Sequence, residues 1–71
     1  MGLAHNLRNA RIKAQLTPEQ LAEKATISRP ALIKFESGQA IPNLVTGIKL
    51  ADALGVSVYD LVRENGGGEN E

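Results

Sequence analysis

A chain of 71 residues with no cysteine, one histidine and eight bases against eight acids has room for a single small core. It has neither a disulfide framework nor the ligand set of a thiolate or histidine metal site, so neither metal nor cofactor is expected. It also lacks a cysteine nucleophile, a phosphate loop ending in Lys and Ser or Thr, and a run of eighteen apolar residues, which argues against an enzyme, a small-molecule substrate and a membrane span.

Aliphatic and alanine side chains must supply the core, because hydrophobic residues make up 42% of the chain and aromatics only 3%. That composition suits an all-α bundle. The first helix runs from Leu3 to Ala14, with Leu3, Leu7, Ala10, Arg11 and Ala14 on one face. Met1-Gly2 suggests a myristoylation start, but Asn6 stands where Ser or Thr is usual, and the first residues lack the charged start and apolar core expected of a signal peptide. A soluble, cytoplasmic protein is the expectation.

Thr17 to Gly38 reads as helix, tight turn, helix. Thr17 caps the second helix, Pro18 occupies a first-turn position that needs no donor, and Gln20 completes a capping box. Leu21, Ala22 and Ala25 form its apolar stripe. After Ala25, Thr26 and Ile27, Ser28 caps the third helix, Leu32 and Phe35 face inward, and Gly38 ends it. So short a link makes the two helices cross steeply, which can offer the third helix to a DNA major groove.

Ile41-Pro42 marks a loop, and Asn43 caps a fourth helix from Leu44 to Leu54. Leu44, Ile48, Ala51 and Leu54 are placed on its core face, with Leu50 at the edge and Gly55 closing the helix. Ser57 caps a fifth helix from Val58 to about Glu64, which adds Val58, Leu61 and Val62 to the core. The chain therefore divides into a folded domain, residues 1–64, and a disordered Gly-rich acidic tail, residues 65–71.

Five short helices and the phrases LTPEQLAEKA, FESG and LADALGVSVYDLV together resemble the lambda-repressor-like (Cro, or Xre-type) helix-turn-helix DNA-binding family, from about Leu3 to Arg63. The resemblance implies a compact five-helix fold and a transcriptional regulator binding double-stranded DNA. It places Arg29, Pro30, Ile33 and Lys34 on the base-reading face of a recognition helix from Ser28 to Ser37. Arg29 could fork onto guanine O6 and N7, worth about 1 to 3 kcal/mol of discrimination; the bland alternative is a solvated Arg. Lys34 suits a phosphate better than a base edge, Pro30 offers only apolar contact, and Ile33 either touches a thymine methyl or is a stray surface residue.

Thr17, Ser28, Ser37, Gln39 and Asn43 are the implied phosphate contacts. Family members commonly join an Arg on the first helix to a Glu at the end of the recognition helix, and Arg11 and Glu36 occupy those places. Pro18 replaces a Gln that often anchors the backbone. With few cations at the interface, salt dependence is expected to be shallow and affinity modest. Net charge becomes +2 without Glu69 and Glu71 (eight bases, six acids), so any case for DNA rests on placement.

Three departures bear on the fold. Gln15 and Thr26 stand where glycine is frequent, in turns needing positive φ, and a small rearrangement is expected there. Gly47 replaces a larger apolar residue, leaving a space for Tyr59 or a partner chain to fill. Ile41, Val45, Val58 and Val62 are candidates for a homodimer interface, unless they merely finish the core, and no separate dimerisation domain is expected from the residues beyond Arg63. A second reading is a protein-interaction module, antitoxin-like or coactivator-bridging-like, that binds a protein partner with little base reading. Zero net charge, Pro18, Pro30 and Ile33 favour it.

Overall fold

Five short α-helices and their turns account for residues 2–63, the part of the chain that the computed structural model describes. They are α1 (Leu3–Lys13), α2 (Pro18–Lys24), α3 (Arg29–Ser37), α4 (Leu44–Leu54) and α5 (Val58–Val62), with no strand among the described residues. The tail, 65–71, lies outside them.

Every start after that of α1, whose cap Gly2 has no side chain to offer, is set by a side chain that accepts from the helix's own first turn. Thr17 accepts from the Gln20 amide, Ser28 from Ala31, Asn43 from Thr46 and Ser57 from Asp60. Thr17 with Gln20, and Ser57 with Asp60, close full capping boxes.

The ends of α1 to α4 share one device as well. Leu16, Ile27, Gln39 and Val56 each donate a backbone N–H to the carbonyl five residues back, the Schellman closure. The residue before each donor must turn left-handed. Gly38 (φ 80°) and Gly55 (φ 71°) do so freely, but Gln15 (φ 61°) and Thr26 (φ 57°) do so against a Cβ penalty. The rearrangement expected at these two turns does not occur, because two carbonyl acceptors depend on each closure and would otherwise be left open.

Main contacts run α3–α1–α5–α4–α2 and back to α3, a closed ring of helices around one core. Each helix sends one leucine to its centre: Leu7, Leu21, Leu32, Leu50 and Leu61 are all at most 2% exposed. Ala22, Ala25 and Ala51 let the helices approach closely, and Phe35 packs against the cluster from its edge.

Three readings of the helices need correction. Ala14 is exposed, because α1 stops at Lys13 and Ala14 already belongs to the closing turn. α5 stops at Val62, with Arg63 extended. On α4, Leu44 and Ile48 are exposed (71% and 42%), while Leu50 is buried with Ala51. The inward side chains are Leu50 and Ala51, with Ala53 and Leu54 packed beside them, so the core face lies further round the helix than expected.

Asn6 ties the ring shut. Its Nδ2 donates to the carbonyls of Leu61 (3.0 Å) and Arg63 (2.7 Å), across the whole length of the folded chain. Buried Gly2 lies against the same place, where a Cβ would stand 2.5 Å from the Arg63 oxygen.

Candidate nucleic-acid interface

Helix α3 has two unlike sides. Leu32 is fully buried and Ala31, Phe35 and Glu36 are half-buried, so one side is committed to the core. Arg29, Pro30, Ile33, Lys34 and Ser37 are exposed, and at 100° per residue they share the opposite side. That outer face carries two cations and no acid.

Ser28 fixes where this face begins. Its hydroxyl oxygen takes up the Ala31 amide (3.2 Å), and Pro30 in the first turn removes an N–H that would have no partner. Arg29 therefore stands at the opening of α3, with Ile33 one turn on.

Behind the face, Arg11 holds α3 in place. Its Nε donates to Glu36 Oε2 at 2.7 Å, its Nη2 to Oε1 at 3.3 Å, and its Nη1 to the carbonyl of Leu16 at 2.9 Å. One guanidinium thus links α1, the end of α3 and the residue before the α2 cap. Both side chains are nearly buried, 14% and 11% exposed. A carboxylate in the last turn of a helix is opposed by the helix dipole, so the cation is what makes Glu36 tolerable there.

The neutral polar residues are partly engaged already. Thr17, Ser28 and Asn43 are exposed but use their oxygens as caps, which leaves each a hydroxyl or amide hydrogen to donate. Ser37 Oγ donates to the Lys34 carbonyl (3.2 Å), and Gln39 is exposed just beyond α3.

The four residues expected at a dimer interface separate. Ile41, Val58 and Val62 line one apolar groove of about 170 Å³, whereas Val45 lies across α4 from it. Val58 is half-buried and packs on the core, while Ile41 and Val62 are 70% and 52% exposed. The groove runs over Gly47. Tyr59, one of the two candidates to fill it beside a partner chain, is exposed and not among its walls.

Sequence reasoning missed Asn6 and Gly2. Nothing in the local pattern ties an Asn to carbonyls 55 and 57 positions away. Among the described residues no group of acids and histidine is placed to hold a metal ion, and no helix is long and apolar enough to cross a membrane.

The Helix-turn-helix family matches residues 7–61. Among curated proteins, the chain is 34% identical over 61 residues to the cryptic phage CTXphi transcriptional repressor RstR of Vibrio cholerae, covering 86% of this chain and 54% of that one. It is 38% identical over 64 residues to the immunity repressor protein of Bacillus phage phi105, covering 90% of this chain and 44% of the repressor. Against an HTH-type transcriptional regulator of Methanocaldococcus jannaschii it is 34% identical over 59 residues, covering 83% and 89%. The chain spans about half the length of the two phage repressors.

Proposed function

Since this chain belongs to the lambda-repressor-like helix-turn-helix family of transcriptional regulators, we propose that it binds double-stranded DNA as a sequence-specific repressor. Two copies would sit on a palindromic operator. In this reading Arg29, Pro30 and Ile33 meet base edges in the major groove, Lys34 on the same face lies against a phosphate rather than a base edge, and Thr17, Ser28, Ser37, Gln39 and Asn43 hold further phosphates. The observation that carries it is the outer face of α3, exposed, acid-free and anchored from behind by Arg11 and Glu36. The names of the two phage repressors point the same way.

Arg29 is the strongest base reader, because a planar fork at a helix start can match guanine in two hydrogen bonds. The reading unit is residues 1–64, and it works in the cytoplasm.

Selecting bound sequences from a random duplex pool at low salt tests the proposal without assuming a target. Enrichment of a palindrome with half-sites about one helical turn apart is the expected result. No enrichment from folded protein would transfer the fold to a protein-interaction role, which zero net charge and the apolar Pro30 and Ile33 favour.

A further inference from the structure

The centre of the outward face of α3 has little to donate. At about 100° per residue, Arg29 and Lys34 stand about 140° apart at the two edges of that face, with Ile33, Ser37 and Pro30 between them. Ser37 spends its hydroxyl hydrogen on the Lys34 carbonyl, and Pro30 has no N–H. Ile33 is 44% exposed and lies outside the core cluster, so packing within the chain does not account for it.

A base pair shows the major groove one apolar group, the C5 methyl of thymine, where cytosine carries hydrogen. Every other feature of a base edge is a donor or acceptor, and an aliphatic side chain pressed on it displaces water without replacing the hydrogen bond. Ile33 is therefore selective. Its β-branch leaves essentially one χ1 rotamer in a helix, so little freedom is lost on contact. What such a fixed apolar knob selects is the methyl rather than the base. 5-Methylcytosine carries the same methyl at the same place, and a side chain without hydrogen bonds does not tell it from thymine.

We propose that Ile33 reads the C5 methyl of a pyrimidine, and that C5 methylation of cytosine strengthens binding at that base pair. The inference rests on the operator reading above and names a regulation of the same site, by modification of the DNA. Arg29 stands one turn before Ile33, about 6 Å along the helix. At about 3.4 Å per base step, the methyl lies within about two base pairs of the guanine that Arg29 takes.

Titrations of the full chain on the selected duplex test this. Each thymine in turn is replaced by deoxyuridine, which removes the methyl alone, and the sensitive pair is then set to C·G with and without the C5 methyl. For the wild type, one position in each half-site is expected to lose about fourfold on uracil substitution, the value of one buried methyl, and 5-methylcytosine to bind about fourfold tighter than cytosine. Ile33→Ala should show neither difference. Because Ile33 is outside the core cluster, the variant should melt with the wild type and still bind the duplex measurably.

A duplex bound equally well with uracil at every thymine overturns the inference and leaves the operator reading standing. So does a uracil penalty that Ile33→Ala retains in full, which would place the effect of the methyl in the deformability of the DNA. A random pool that yields no bound duplex removes the operator reading itself, and methyl reading with it.

Discussion

Arg11 and Glu36, 25 positions apart, are joined by two hydrogen bonds while a third from the same guanidinium reaches Leu16. The pair is the only salt bridge among the described residues, and it sits behind the face proposed to read DNA. Glu36→Ala leaves a nearly buried guanidinium without its carboxylate and should destabilise the fold by about 3 kcal/mol. Arg11→Met with Glu36→Leu should recover most of that loss. Urea melts of the two single variants and the double variant measure the coupling directly.

Thr26→Gly is expected to stabilise. The left-handed turn at φ 57° penalises a β-branched residue, and glycine relieves that strain at the cost of a more flexible unfolded chain. The net gain should be about 1 kcal/mol, read as a rise of several degrees in the melting temperature. Gln15→Gly should gain less. No gain at either position would mean that the turns carry no strain.

Gly2→Ala should act at the opposite end of the sequence. A methyl there would press on the Arg63 carbonyl at 2.5 Å and on Asn6 Nδ2 at 3.3 Å, so the end of α5 must move away. A loss of about 1 to 2 kcal/mol is expected, the range of a modest overpacking. Amide exchange should accelerate in α5 more than in α3, and Asn6→Ala should reproduce the pattern.

Arg29→Ala and Lys34→Ala should differ in kind. If Arg29 forks onto a guanine, its loss costs about 1 to 3 kcal/mol and relaxes preference at one base pair of the site. Lys34→Ala should weaken all sequences alike and flatten the dependence of log K on log salt by about one unit. Titrations on a selected duplex and its single-base variants separate the two.

Much of this fold was written locally. Thr17, Ser28, Asn43 and Ser57 mark helix starts because each can accept from its own first turn, and Gly38 and Gly55 mark ends because the closure needs positive φ. The facing of α4 was not legible. Leu44, Val45, Ile48, Leu50, Ala51, Ala53 and Leu54 spread apolar side chains around most of its circumference, so periodicity could not say which stripe turns inward. The outer face of α3 was legible because Leu32 and Phe35 leave only one side free, whereas the partners of Asn6 depend on tertiary packing alone.

The clasp between Gly2, Asn6 and Arg63 also fixes the doorway of the domain. The first and last described residues meet at one point, so anything joined to either side emerges from the same spot, at the seam of α1 and α5. A short peptide bridging Gly2 to Arg63 would span almost no distance, and new ends could be opened in a loop such as Gln39–Asn43 without redirecting the helices. The domain is in that sense a closed bead, one that could be threaded into another chain and still present α3 outward.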